Sequence, residues 1–145
     1  MYKKEIKNFL DKNKGSVYSI FRIVVALLFF EHGASKILGW FGGSALNVMN
    51  LFAFNMSSLI VLAGLIEFFG SILIVLGLFT RFAAFLAVCD MVGAWFLGHV
   101  GSGLSGWIPI VNRGELALMY LVAFLIILFY GSGKWALDNK ILKKH

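Results

Sequence analysis

The chain has 145 residues, of which 60% are hydrophobic and 14% charged, with a mean hydropathy of +0.88. That balance excludes a soluble domain of this size, and the length fits one small membrane domain with short tails. The net charge of +6 does not mark a nucleic-acid groove: residues 16–133 set Arg22, Lys36, Arg81 and Arg113 against Glu31, Glu67, Asp90 and Glu115, so the whole excess lies in the tails, and nothing resembles a base-reading module.

Residues 1–16 are a basic tail. Tyr2, Ile6, Phe9 and Leu10 stand at helical spacing among Lys3, Lys4, Lys7, Lys12 and Lys14. The pattern predicts an amphipathic helix on the inner leaflet, with a solvated tail as the alternative. The first span is expected at 17–38. Its apolar run is long and is followed by Gly39–Trp40–Phe41 rather than a small-residue cleavage site, so it reads as a retained span and not a signal peptide. On it, Arg22, Ala26, Phe29, Gly33 and Lys36 form one stripe at spacings of four and three, with Glu31 nearly opposite Arg22. Arg22 is expected near the inner leaflet, paired with an acid or snorkelling to phosphates, and Lys36 to snorkel at the outer end. His32 sits one turn from Lys36.

The loop 39–56 is apolar. Leu46, Met49, Ala53 and Met56 predict one face of a short interfacial helix, lying over the outer mouth of the bundle or packing at the interface, where Trp40 and Trp107 read as aromatic-belt residues. In the second span, 57–79, Glu67 shares a face with Ala63, Gly64, Gly70 and Ser71. Small residues let transmembrane helices approach closely, so Glu67 is expected in a helix–helix interface, about 15 Å from the start of its span.

Thr80 is the predicted N-cap of the third span, 81–98. There Asp90 is flanked by Ala87, Gly93 and Ala94 and lies about 13 Å from the inner end. Glu67 and Asp90 are therefore expected to approach one another near the midplane. Two close carboxylates do not both stay ionised cheaply, and a shared proton would suit proton-coupled chemistry; hydrogen bonds to neighbouring Arg, Trp or Ser are the structural alternative. The lone cysteine, Cys89, excludes an internal disulfide or a Cys-x-x-Cys relay and reads as a small packing residue. His99 ends this span at the depth of His32. Such a pair could bind a quinone carbonyl, shuttle protons or ligate a haem, though two histidines at one depth are thin grounds for haem. The fourth span is expected at 114–130, where Asn112 and Glu115 resemble a capping box and Arg113 completes an outward polar cluster. A basic tail, 134–145, carries Lys134, Lys140, Lys143 and Lys144.

These elements predict an all-α integral membrane protein, a bundle of four transmembrane helices, since an open sheet in lipid leaves backbone groups unpaired. Lys and Arg gather at both termini and at the Arg81 turn, which places those at the cytoplasmic face and the two Gly-rich loops outside. Gly39–Trp40 and Gly106–Trp107, after the first and third spans, hint at two related hairpins. No metal-ligand set, thiol pair, flavin motif or nucleotide motif is present.

His32–Gly33–Ala34–Ser35–Lys36 with Gly39–Trp40–Phe41–Gly42, Ala63–Gly64–Leu65–Ile66–Glu67 with Gly77–Leu78–Phe79–Thr80–Arg81, Met91 with His99, Asn112–Arg113–Gly114–Glu115, and Gly131 through Asp138 together resemble DoxX-type membrane proteins across 17–138. The resemblance implies a four-helix protein of the bacterial cytoplasmic membrane. The family name comes from a subunit linked to a thiosulfate:quinone oxidoreductase, and members are described as oxidoreductase components by inference. The family's polar residues correspond to His32, Lys36, Glu67, Arg81, His99 and Glu115. Arg113 and Ala136 depart from the commoner pattern.

Three functions compete. A redox membrane subunit would hold a quinone headgroup or small sulfur substrate in an outward-facing polar pocket lined by His32, Lys36, Glu67, His99 and Glu115. In it, Glu67 and Asp90 would handle protons, His32 or His99 would bond the quinone, and Lys36, Arg113, Glu115 and Glu31 would bind substrate; it would need a bound quinone or a partner subunit. A non-enzymatic assembly protein would use the ion network only to specify the bundle. A solute or proton pathway ranks last, because the spans lack broken segments. Membrane lipids are the partners composition implies, a homo-oligomer is left open, and nucleic acid is excluded.

Overall fold

The structure, a computed structural model, describes residues 2–101 and 104–142; Lys143 and Lys144 of the basic tail lie outside them. Among the described residues the chain is helical, with no strand. α1 runs unbroken over Tyr2–Leu38. α2, Met56–Leu65, continues through a π-helical turn, Ile66–Gly70, into α3, Ser71–Leu76. α4, Thr80–Gly93, continues into a second π-helical turn, Ala94–His99. A four-residue α5, Pro109–Asn112, precedes α6, Glu115–Tyr130, and α7, Asp138–Leu142, closes the described chain.

Three of these helical runs are long and apolar enough to cross a membrane: Lys3–Leu38, Met56–Leu76 and Thr80–His99. α6 is apolar but has 16 residues, a rise of about 24 Å against the roughly 30 Å of a hydrocarbon core. Large apolar side chains point outward all along these helices, among them Phe69, Phe82, Met119 and Phe129. Such a surface belongs in lipid, and the protein is a membrane protein with several apolar helices.

α1 packs along α2, the first π turn and α3, while α4 packs along α6. The core joins the pairs through side chains of very different size. Ala83, Ala84 and Ala87 give α4 a flat face, and Phe29 of α1 inserts beside Tyr120 and Phe124 of α6, with ring centroids 5.3 and 4.6 Å away. Lipid tails supply no hydrophobic drive for helices to meet, so close packing of small residues and interhelical polar contacts must hold the bundle.

The expected boundaries shift in places. α1 begins fifteen residues before residue 17 and includes the tail expected to lie flat on a leaflet; Ile6, Phe9 and Leu10 are exposed on the same helix that carries the span. The interfacial helix in loop 39–56 is a six-residue 3-10 turn, Val48–Ala53, that buries none of its residues. The second run ends at Leu76, because Gly77 takes a left-handed conformation (φ 65°) and a Schellman pair follows, Gly77 N–H to Ile74 O and Leu78 N–H to Leu73 O.

Thr80 is not the N-cap of α4. That position is Phe79, and the cap arrives from 58 residues away: the Asp138 carboxylate accepts from Phe79 N, Thr80 N and Thr80 Oγ1 at 2.8, 3.1 and 2.9 Å. The same segment closes α3, with Leu137 N–H donating to Leu76 O and Asp138 N–H to Gly77 O. Nor do Asn112 and Glu115 form a capping box: Asn112 Oδ1 accepts from Gly114 N at 2.8 Å, and Glu115 is exposed. A capping box stands instead at Asn55 and Ser58, opening α2.

Candidate functional site

The site is built where α1 crosses the first π turn. Gly33 makes the crossing possible. A Cβ there would stand 2.7 Å from Glu67 C and from Phe68 Cα, so a larger residue cannot occupy it unless the backbones separate. Three residues on, Lys36 lies against Gly64, where a Cβ would meet Lys36 Cβ at 3.1 Å. From that level its side chain reaches one turn further along the second run, and Nζ lies 2.6 Å from Glu67 Oε1. Lys36 is therefore half-buried and paired rather than snorkelling at a helix end.

Glu67 opens the π turn and is 3% exposed. Its side chain projects from a widened stretch of helix, and Ser71 Oγ donates to its main-chain carbonyl, supplying a partner inside the altered ladder. π turns inside α-helices recur at functional sites. The second one, Ala94–His99, begins four residues after Asp90.

Between the two lies a cavity of about 420 Å³. Its fourteen lining residues include three ionisable ones, Lys36, Glu67 and Asp90; the rest are apolar side chains, glycines and Cys89. The cleft exists because α4 packs on the π turn and α3 rather than on α2. The second and third runs meet below Glu67 and diverge above it. Gly93 and Gly98 border open space on this side, since a Cβ at either would meet nothing within 4 Å. Two carboxyl oxygens at this site are buried without a hydrogen-bond partner, Glu67 Oε2 and Asp90 Oδ2. An orphaned buried acceptor costs about 1–3 kcal/mol, so the cavity has an unmet demand for a donor.

The structure gathers Lys36, Glu67 and Asp90 at one cavity and disperses the other candidates. His32 is exposed and packs edge-on against Tyr120, ring centroids 5.8 Å apart. His99 Nδ1 lies 3.1 Å from Asn112 O. Neither histidine lines the cavity, and no described contact joins them. Glu31, Arg113 and Glu115 are exposed and outside the lining. Cys89 is exposed at the cavity wall rather than packed in the core. The described residues contain no cluster of three or more His, Cys, Asp or Glu able to hold a metal.

Arg22, expected to meet an acid or phosphates, does neither. It is fully buried and donates to three carbonyls: Ser132 O; Trp135 O at 2.6 Å; and Val75 O at 3.4 Å. Tyr18 Oη donates to Gly131 O at 2.5 Å, and Ser19 Oγ accepts from Lys134 N at 3.1 Å. These groups fasten residues 131–138 across the end of the bundle away from the cavity. The polar residues of the first span thus divide into a structural set at one end and a cavity set toward the other.

The DoxX family model matches residues 17–100. An uncharacterized protein of Haemophilus influenzae is 41% identical over 142 residues, covering 94% of this chain and 99% of the relative. An uncharacterized membrane protein of Mycobacterium tuberculosis is 28% identical over 137 residues, covering 85% of this chain and 80% of its own length. A second uncharacterized protein of Haemophilus influenzae is 32% identical over 130 residues, covering 86% and 82%. No solved structure matches the chain.

Proposed function

The chain belongs to the DoxX family, and from that membership we propose that it is the membrane subunit of a quinone-linked oxidoreductase, binding the headgroup in the Lys36–Glu67–Asp90 cavity. One observation carries the reading: a buried ion pair and a second carboxyl close the end of an otherwise apolar cavity, and two of their oxygens have no partner. Apolar walls with a few convergent polar groups are what a small-molecule site needs. Lys36 would supply a fixed cation, and Glu67 and Asp90 would accept and release protons beside the headgroup. The quinone would carry the electrons, exchanging them with a partner subunit. α6 would be the fourth crossing, its shortfall met by local thinning of the bilayer. The lysines at 3–14 and 134–140 favour both termini on the cytoplasmic side of a bacterial inner membrane.

The test is gentle purification followed by an inventory of bound quinone and a visible spectrum. The expected result is copurifying quinone, and thermal protection by added short-chain quinone of about 2.7 kcal/mol at a hundredfold excess over Kd, reduced in Glu67→Gln. Absence of quinone, chromophore and protection together would remove this reading. The exposed Met49, Phe52 and Phe54 of loop 39–56 favour a second one, an assembly protein whose ion pair is structural. A stoichiometric partner lost on altering that loop, with the fold intact, would support it.

A further inference from the structure

The cavity's shape and its unpaired acceptors bear on which molecule enters and from where. Its walls are the diverging faces of α2 and of α4 with the second π turn. Leu59, Ile60 and Leu62 on one wall and Leu97 on the other are each about half exposed, within runs apolar enough to lie in lipid. The mouth is therefore bordered by hydrocarbon-facing residues along the helices. From Met56 to Glu67 the wall rises about 16 Å, room for a headgroup and the first carbons of a chain.

At the closed end, Glu67 Oε1 is committed to Lys36, while Glu67 Oε2 and Asp90 Oδ2 are buried and unpartnered. Glu67 is itself more than nine-tenths buried. A ketone, ether or ester only accepts hydrogen bonds and leaves Glu67 Oε2 orphaned. A hydroxyl donates one hydrogen bond and accepts others, so it satisfies Glu67 Oε2 and at the same time accepts from Asp90 when that carboxyl holds the proton.

We infer that the cavity admits its ligand sideways from the acyl phase, between α2 and α4, and selects a lipid-tailed molecule with a hydroxyl headgroup that donates to Glu67 and is hydrogen-bonded to Asp90. The inference rests on the reading of this cavity as a ligand site and narrows it: the reduced, dihydroxy form of a quinone meets the demand in full, the oxidised form binds more weakly, and water-borne sulfur anions do not meet it.

The test uses the full chain in phosphatidylcholine liposomes and two sixteen-carbon probes with a mid-chain diazirine, one a primary alcohol and the other its methyl ether, with adducts mapped by mass spectrometry. The alcohol should label Leu59–Leu62 and Cys89–Gly98 about tenfold more than the ether, the effect of one orphaned acceptor. Both should label Met119 and Phe129 on the outer face of α6 equally. Gly93→Leu, which fills open space, should abolish the excess while the protein stays folded. Equal wall labelling by the two probes, an excess that survives Gly93→Leu, or competition by glycerol from the aqueous phase would each overturn the inference. A protein lacking quinone but keeping this labelling pattern would refute the redox reading alone.

Discussion

Replacing Gly33 by alanine is the sharpest probe of the site's construction. The added methyl would lie 2.7 Å from Glu67 C and Phe68 Cα, where carbon atoms need about 3.5 Å. α1 and the π turn must therefore separate by close to 1 Å. Overpacking of this kind costs about 1–3 kcal/mol, and here backbone, not a flexible side chain, has to yield. The same separation stretches the 2.6 Å Lys36–Glu67 contact. Because backbone must yield, the overpacking falls toward the upper end of that range, about 2–3 kcal/mol; helix propensity acts in the opposite direction, alanine gaining about 0.8–1.0 kcal/mol over glycine, so net destabilisation of about 1–2 kcal/mol is expected, read as a lower unfolding midpoint in mild detergent. Gly93→Ala supplies the control: nothing lies within 4 Å of its Cβ, so only the propensity gain remains and the midpoint should rise. A Gly33→Ala protein as stable as its parent would refute the close approach on which the cavity geometry depends.

Lys36→Met should cost about 3–5 kcal/mol by stranding Glu67, and adding Glu67→Leu should recover most of it, as an apolar replacement of a buried pair does; a double-mutant cycle of unfolding midpoints measures this. Asp138→Ala removes three hydrogen bonds at the start of α4 and should cost about 1–2 kcal/mol, with faster proteolysis after Lys134. Cys89, exposed at the cavity wall, should react with an apolar maleimide dissolved in the bilayer and resist a charged, impermeant one; labelling by the charged reagent alone would show the mouth opening to water.

Much of this arrangement was readable in the residues. Arg22, Ala26, Phe29 and Gly33, read as one stripe, do share a face, and that face is buried; the small residues around Glu67 do mark a helix crossing. Asp90 does share an environment with Glu67. What could not be read is contact set by fold rather than by period. Lys36 looked terminal on α1, but it reaches Glu67 because α2 extends past it. The π turns carry no composition of their own. Asp138 caps a helix 58 residues distant, and Arg22 meets carbonyls, which sequence does not display as partners. His32 and His99 are paired by expected depth alone, and depth along a helix says nothing of azimuth around the bundle.

The fastening of residues 131–138 has a bearing on how the protein comes into being. Arg22, Tyr18 and Ser19 lie near the start of the chain, and the groups they hold are near its end. During synthesis the guanidinium must wait in a half-assembled bundle until residues 132–135 have been made. A product that stops short of Ser132 leaves this buried cation without two of its three carbonyl partners.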